Sequence, residues 1–121
     1  MKDFTQLPTE KIIYKDKFFF IIKDSFPVNP GHLLIISNEL RTDYFDLTDD
    51  EKKHLQHTIE KAKQLLLEEF KPDGFNIGMN CGTTAGQTVF HFHCHLIPRY
   101  KGDMENPRGG VRHVIPERGN Y

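Results

Sequence analysis

Three histidines stand at every second position of one short stretch. His91, His93 and His95 are separated only by Phe92 and Cys94. On a β-strand, side chains at positions i, i+2 and i+4 share a face, so the three imidazoles would project together. The apolar spacers would then turn towards the core. We interpret the stretch as a strand that presents a row of imidazoles on its polar face.

Three interpretations of such a row are possible: structural histidines, a metal site or catalytic imidazoles. Purely structural histidines are disfavoured, because clustered imidazoles repel one another when protonated. A zinc site is the second reading, since His-x-His is a genuine ligand spacing, but the outer pair would lie about 13 Å apart along a strand. Two adjacent rings could share an ion, although the first acid after the row is Asp103. Imidazole as a nucleophile or general acid–base is favoured, because it titrates near neutral pH.

The loop just before the row favours catalysis on a phosphate. It contains Gly82, Gly86, Gln87 and Thr88. Small residues let backbone N–H groups approach an anion, and the hydroxyl and amide side chains add donors. A nucleophile beside an anion-binding loop is what phosphoryl or nucleotidyl transfer requires. A glycine-rich loop alone is often only a turn, but next to three histidines it indicates a phosphate site.

The composition excludes several function classes. The chain has 121 residues and a net charge of -1, which argues against a protein that grips a nucleic-acid polymer. No apolar run approaches the roughly 18–20 residues of a membrane span, and the start, MKDFTQLPTEK, lacks a signal-peptide pattern. Cys81 and Cys94 cannot define a disulfide framework. We therefore expect one cytoplasmic domain, residues 1–121, with neither a membrane nor a nucleic-acid partner.

The elements that would position the histidines are mostly strands. Alternation and turn residues predict strands at residues 11–15, 18–23, 33–36 and 75–79. A short loop joins the last of these to the histidine strand, which implies antiparallel neighbours. We expect Pro98 to limit the histidine strand and the tail from Lys101 to be extended and irregular.

One long amphipathic helix is the clearest element. Thr48-Asp-Asp-Glu51 is a capping box, with two further acids near the positive end of the helix dipole. An apolar stripe follows at three- or four-residue spacing: Leu55, Ile59, Ala62, Leu66 and Phe70. His54 and His57 share the polar face, so we expect both to be solvated. Strands with one long helix predict an α+β fold, an antiparallel sheet with this helix against it.

The histidine row resembles the signature of the histidine triad (HIT) superfamily of nucleotide hydrolases and transferases. That signature is His-φ-His-φ-His-φ-φ, where φ is apolar, and residues 91–97 read His-Phe-His-Cys-His-Leu-Ile. A second family block, Pro-x-His-x-Leu-φ-φ, is similar to residues 30–36, which contain His32. Asn80 and the intervening helix also fit, so the resemblance covers nearly the whole chain.

The resemblance implies a role for each histidine. His93 would attack the α-phosphorus of a nucleotide derivative and form a covalent nucleotidyl-histidine, which water then cleaves. This chemistry requires a neutral ring whose attacking nitrogen is free, and a backbone carbonyl that accepts from the other ring nitrogen would fix that tautomer. His95 would bind the phosphate oxygens in the transition state, and His91 would support the hydrogen-bond network. His32 would complete that relay or, alternatively, be a plain strand histidine.

The resemblance also implies which residues bind the substrate. Gln87 and Thr88 would contact the phosphate or the leaving group, beside Gly86. Asn80 would form a hydrogen bond in the phosphate region. Asp24 matches the position that holds the ribose hydroxyls, with an exposed turn acid as the alternative reading.

Residues 97–103, Ile-Pro-Arg-Tyr-Lys-Gly-Asp, resemble the dinucleoside polyphosphate hydrolase (fragile histidine triad) side of the family. The phosphoramidase side typically ends in a Trp-Pro-Pro-Gly-like tail, and this chain has no tryptophan. Hydrolysis of diadenosine polyphosphates is therefore the expected activity. A phosphoramidate or adenylyl-lysine hydrolase, or a nucleotide-binding module without catalysis, is the alternative.

Three more expectations follow from the resemblance. The Cys-x-x-Cys of zinc-carrying bacterial members is absent, so no metal cofactor is expected, although a divalent cation could accompany a polyphosphate substrate. Four basic residues could meet extra phosphates or simply be solvated: Arg99, Lys101, Arg108 and Arg112. The chain is expected to form a homodimer in which two sheets join edge to edge.

Overall fold

A computed structural model describes residues 3–121, and they form a five-stranded antiparallel sheet with one long helix on it. The strands are β1 (Ile12–Lys15), β2 (Phe19–Lys23), β3 (Leu33–Ser37), β4 (Gly74–Gly78) and β5 (His93–Arg99). Their order across the sheet is β1-β2-β3-β5-β4. The predicted α+β fold is confirmed, and the first four strands lie within a residue of their predicted bounds. The histidine strand thus occupies an interior position, between β3 and β4.

The prediction for the ends of the histidine strand was wrong at both ends. The strand begins at His93 rather than before His91, and it continues through Pro98 to Arg99. Beyond Leu96, β5 is paired only with β4. The carbonyl of Pro98 accepts from the Asn29 side chain on the side that β3 has left. Since a strand residue points its N and its carbonyl to the same side, the missing N–H of proline interrupts no ladder bond.

The helix α1 (Asp49–Leu67) begins as predicted and ends earlier. Thr48 and Glu51 form the reciprocal capping box, in which each side chain accepts from the backbone N–H of the other. Leu55, Ala62 and Leu66 are buried against the sheet. Phe70 lies beyond the last helical residue, but its ring still packs against this core.

One of the two helix histidines is not solvated. His57 is exposed as predicted, whereas His54 is half-buried. The His54 ring lies 5.2 Å from that of Phe18, and its Nε2 is 3.2 Å from a carboxylate oxygen of Asp16. The helix therefore uses His54 to contact the turn between β1 and β2.

Both faces of the sheet are covered near its centre, where every residue of β3 is buried. The helix packs on one face. On the other face, the amino-terminal segment, which we define as residues 3–8, places Phe4 and Leu7 against Ile22 and Leu34. The tail is less irregular than predicted, since it contains two short 3-10 helices, Gly110–Val114 and Pro116–Arg118. No helix within residues 3–121 has the length and apolar character needed to span a bilayer.

Gly31, which precedes His32, provides a test of this packing. Its φ is +97°, and an added Cβ would lie 2.9 Å from the ring of Phe70. We expect Gly31→Ala to lower the free energy of unfolding by about 1–3 kcal/mol, because both backbone strain and crowding oppose the methyl group. Urea denaturation would measure the change.

The matched control is Gly74→Ala. Gly74 lies in β4, and a Cβ there would meet nothing within 4 Å. That variant should stay within about 0.5 kcal/mol of the parent chain. Equal losses in the two variants would contradict the packing argument.

Candidate functional site

The histidine face of the sheet is the side turned away from α1. Burial alternates along β5, so that Cys94 and Leu96 enter the helix-side core while His93 and His95 remain partly accessible. Gly78 of β4 is the register partner of His95, and a Cβ at that position would meet nothing within 4 Å. The surface beside His95 is therefore open to a ligand. The apolar spacers Phe92 and Cys94 are buried in the core as predicted.

The ring of His93 has a fixed tautomer. Its Nδ1 lies 2.8 Å from the carbonyl oxygen of His91. A carbonyl can only accept, so Nδ1 carries the proton and donates. In the neutral ring, Nε2 then keeps its lone pair, as a nucleophile must. His93 thus has the bond to a backbone carbonyl that would fix the nucleophilic tautomer.

His91 is a supporting residue. It precedes the strand, is 1% exposed, and is bonded at both ring nitrogens. Nε2–H donates to the carbonyl of Ser37 at 2.8 Å, and Nδ1 accepts the backbone N–H of Phe4 at 3.0 Å. Burial lowers the pKa of His91. Because the ring is neutral, buried and fully bonded, it can orient its neighbours but cannot reach a substrate.

His32 and His95 form a second hydrogen-bonded pair. His32 Nε2 and His95 Nδ1 are 2.9 Å apart. His32 Nδ1 accepts the backbone N–H of Val28 at 3.0 Å, so its proton resides on Nε2 and is donated to His95. Neutral His95 consequently carries its own proton on Nε2, where it can donate to an anion. His32 is thus hydrogen-bonded to a triad histidine rather than being a plain strand histidine.

The environment of this pair keeps it uncharged. Burial, together with the neighbouring His93 and His32, lowers the pKa of His95 to about 4, although Asp24 opposes the shift. Burial also lowers the pKa of His32. Both rings are therefore neutral at physiological pH, in the state that the tautomer assignment assumes.

Asp24 faces the histidine pair. Its Oδ2 is 3.4 Å from His32 Nε2 and 3.9 Å from His95 Nδ1, and its side chain is 15% exposed. Its Oδ1 accepts the backbone N–H of Phe26, which fixes the turn after β2. The alternative of an exposed turn acid does not describe this residue. Asp24 both shapes the turn and supplies the negative charge nearest to His32.

A metal ion could contact one set of donor atoms among residues 3–121. These atoms belong to Asp24, His32 and His95, and they lie within 4.8 Å of one another. Three donors with an open position fit a catalytic zinc site. However, His32 Nε2 carries a proton as long as Val28 occupies Nδ1. An ion would have to displace that proton, so the bonding of this set favours a proton relay over a metal centre.

The loop before β5 differs from its expected role at one residue. Gln87 is 3% exposed, and its Oε1 accepts the N–H of Gly82. Its Nε2 donates to the carbonyls of Thr42 and Val89. With both donors used, the side chain braces the loop and has none left for a phosphate, which corrects the expected contact. Its burial is a property of the tertiary fold that the sequence did not reveal.

Three other predicted ligand-binding residues are exposed near each other. Thr88, Gly86 and Asn80 are all accessible. The amide nitrogen of Asn80 would lie 3.8 Å from a Cβ added at Gly86, where φ is +96°. A side chain at Gly86 would therefore be strained by the positive φ, although it would meet Asn80 only at ordinary contact distance. The backbone N–H of Gly86 donates to the carbonyl of Thr83. The donors that these residues can offer a ligand are therefore the side chains of Asn80 and Thr88.

The basic residues after the triad do not form a common phosphate site. Arg99 donates to both oxygens of Asp103 and to the side chain of Asn76. Three of its five N–H donors are therefore committed to protein groups, which argues against the expected contact with extra phosphates. Arg108 and Arg112 lie over the ring of Tyr121. Lys101 is exposed, as its alternative reading expected.

Sequence reasoning missed two contacts of the histidines. Phe4 bonds His91 across a separation of 87 residues, and Ser37 bonds it across 54. No local pattern marks either contact. The bond from Val28 to His32 spans four residues, and the Pro-Val-Asn-Pro-Gly turn before His32 was the available signal for it.

Comparison with known proteins gives one family. The HIT domain family matches residues 6–102. The AP-4-A phosphorylase of Mycobacterium tuberculosis is 33% identical over 122 residues, covering 94% of this chain and 62% of that protein. The bis(5'-adenosyl)-triphosphatase of Saccharomyces cerevisiae is 36% identical over 98 residues, covering 78% of this chain and 47% of that protein. This chain thus spans less than two thirds of the length of either relative.

A solved structure gives the same result for the fold. The crystal structure of a HIT family protein from Bacillus anthracis superimposes with a TM-score of 0.72 at 40% identity. The match covers 77% of this chain and 66% of that one. It confirms the antiparallel α+β architecture that positions the histidines.

The lowered histidine pKa values predict how stability depends on pH. His95 titrates near 6.5 when unfolded and at about 4 when folded, so between these values the unfolded chain binds more protons. The free energy of unfolding should therefore be greatest above pH ~6.5 and should decrease as the pH is lowered. His95 alone should account for a decrease of about 2 kcal/mol between pH ~7.5 and pH ~5. His32 and His91 act in the same direction.

Urea denaturation at the two pH values would measure this difference. His95→Asn should reduce the pH dependence, whereas His57→Asn, at an exposed helix position, should preserve it. An unchanged dependence in His95→Asn would contradict the assignment.

Proposed function

Because the chain belongs to the HIT domain family, we propose that it hydrolyses nucleoside 5′-phosphate derivatives at the α-phosphorus through a covalent nucleotidyl-His93 intermediate. The observation that carries this proposal is the bond from His93 Nδ1–H to the carbonyl of His91. It leaves Nε2 of a partly accessible ring as a free nucleophile on the face of the sheet turned away from α1.

The reaction has two displacements. In the first, the lone pair of His93 Nε2 forms a bond to the α-phosphorus, and the bond from that phosphorus to the leaving-group oxygen breaks. In the second, water attacks the same phosphorus, the N–P bond breaks, and a nucleoside monophosphate leaves. The water gives up one proton, and His93 returns to its neutral form with Nδ1–H still bonded to His91.

The neighbouring groups stabilise the charge that develops on the phosphoryl oxygens. His95 Nε2–H is a donor whose orientation is maintained by the bond from His32 to Nδ1. Asn80 and Thr88 supply accessible side-chain donors on the loop before β5. Preorganised donors of this kind usually give the largest single contribution to such catalysis. We assign the ribose hydroxyls to Asp24, whose carboxylate faces this histidine pair.

The names of relatives support a dinucleoside polyphosphate as the substrate. One relative is an AP-4-A phosphorylase and another a bis(5'-adenosyl)-triphosphatase. The first name also raises a second candidate for the acceptor, because inorganic phosphate could replace water in the second displacement. The chain's own groups suffice for both steps, so we propose no metal cofactor; a divalent cation would enter only with the polyphosphate.

We also propose a homodimer joined through β4. Within the described residues, β4 is an end strand that pairs only with β5. Ile77 on this strand and Met79 just after it are 47% and 36% exposed. An unpaired edge with exposed apolar side chains suits pairing with a second copy. Sedimentation would test this, because the parent chain should run as a dimer and Ile77→Asp as a monomer. The cytoplasmic location is a separate prediction.

Replacing the nucleophile tests the covalent mechanism. His93→Ala should lower kcat by at least about 10³-fold, since no other ring nitrogen is placed to attack, while nucleotide affinity changes only a few-fold. Quenched reactions of the parent chain with labelled substrate should contain nucleotide bound to His93. His57→Ala, at an exposed helix position, is the matched control and should keep full activity. Unimpaired turnover in His93→Ala would exclude the mechanism.

Parallel assays would identify the leaving group and the acceptor. We expect kcat/KM for diadenosine tetraphosphate to exceed that for an AMP lysyl phosphoramidate by about tenfold or more, given the relatives' names. The reverse order would make the chain a phosphoramidate hydrolase with the same nucleophile. With added phosphate, formation of ADP in place of AMP, alongside the ATP that leaves diadenosine tetraphosphate in the first step, would assign a phosphorylase. Turnover lost with a chelator and restored by zinc alone would favour the metal reading.

A further inference from the structure

The amino-terminal segment reaches the centre of the histidine site. Phe4 is 9% exposed and contacts two members of the triad. Its backbone N–H donates to His91 Nδ1 at 3.0 Å. Its ring lies edge-on to that of His93, with 5.3 Å between ring centroids. A single residue from the start of the chain thus touches both the nucleophile and the histidine that supports it.

The contacts of Phe4 with His91 affect His93 through the peptide group between His91 and Phe92. The His91 ring is held at both ends, by Phe4 on one side and the Ser37 carbonyl on the other. The carbonyl of His91 accepts Nδ1–H of His93. The N–H of the same peptide group, on Phe92, donates to the carbonyl of Arg41 at 2.6 Å. The acceptor that sets the tautomer of His93 is therefore fixed by bonds on each side of it.

Loss of the Phe4 N–H would disturb this arrangement through His91. Its Nδ1 would become a buried acceptor without a partner. Moving the ring proton to Nδ1 would turn that atom into a buried donor without a partner, and the carbonyl of Ser37 would also lose its donor. Either outcome loosens the peptide group whose carbonyl orients His93.

We propose that Phe4 is a positioning residue for the nucleophile. Its N–H fixes the Nε2–H tautomer of His91, and its ring restricts His93, so that Nε2 of His93 stays aimed at the phosphorus. The kinetic part of this proposal rests on the proposed function. The tautomer part does not, because it concerns the protein without substrate.

Leu7 provides a matched comparison within the same segment. Leu7 packs against the apolar cluster that includes Ile22 and Leu34, and Phe4 is a member of that cluster. Of the two side chains, Phe4 has the ring contacts with His91 and His93. If the segment matters only as a cover for the sheet, Leu7→Ala and Phe4→Ala should behave alike.

The experiment separates the N–H of Phe4 from its ring. Phe4→Ala removes the ring and keeps the donor, whereas Phe4→Pro removes both. Nitrogen-15 NMR of labelled histidine reports which ring nitrogen of His91 and His93 carries the proton. We expect His91 to remain Nε2–H in the parent chain and in Phe4→Ala, and to become mixed in Phe4→Pro.

Kinetics on the same variants should show a loss in kcat. Misplaced reacting groups cost roughly 10- to 100-fold, so Phe4→Pro should turn over about tenfold more slowly than Phe4→Ala. Leu7→Ala should keep the parent kcat and the parent tautomers. Phe4→Leu, which restores an apolar side chain and keeps the N–H, should recover part of the loss seen in Phe4→Ala.

Two results would overturn the proposal. One is a parent-like His91 tautomer in a folded Phe4→Pro chain, and the other is a kcat loss in Leu7→Ala equal to that in Phe4→Ala. If Phe4→Pro does not fold, NMR of the parent chain still tests the proposal. The proposal requires that His91 Nδ1 carries no proton and that the Phe4 amide is protected from hydrogen exchange, and absence of either would overturn it. If no nucleotide substrate is turned over, the proposed function fails while the tautomer measurements still test the role of Phe4.

Discussion

The hydrogen bond from His93 Nδ1 to the carbonyl of His91 decides what this protein can do. A free imidazole exchanges its proton between two nitrogens, and only the nitrogen without the proton is a nucleophile. By fixing the proton on Nδ1, the backbone leaves Nε2 available on the open side of the sheet. The bonds around His91 have this one consequence in common: they keep the accepting carbonyl in place. The peptide group between His91 and Phe92 is therefore the part of the structure on which the orientation of His93 depends.

Neutrality is the second condition, and the fold meets it by burial. His32, His91 and His95 all have lowered pKa values, for which burial is the main cause. A row of protonated rings would repel one another and could neither attack a phosphorus nor relay a proton. Asp24 acts in the opposite sense, and its carboxylate beside His32 favours positive charge on the relay. Burial outweighs this charge at His95, whose pKa is lowered to about 4.

The two faces of the sheet have different roles: one packs against the helix, and the other carries the histidines. Along β5, Cys94 and Leu96 pack under the helix, and burial raises the pKa of the Cys94 thiol to about 12, so that this cysteine is inert. The opposite face carries His93 and His95, flanked by the amino-terminal segment and by the open position at Gly78. Because strand side chains alternate, a rigid core and an accessible row of imidazoles occupy the same seven residues.

The sequence alone determined the periodic features: the α+β class, the capped helix, most strand bounds, and the shared face of His93 and His95. These follow from local rules, since side-chain alternation and capping depend on residues a few positions apart. The tertiary structure decided how the side chains are used. It buried Gln87 and His91, committed Arg99 to Asp103, and brought Phe4 and Ser37 to the triad. Such roles depend on which distant groups occupy each donor and acceptor, and only the folded chain brings those groups together.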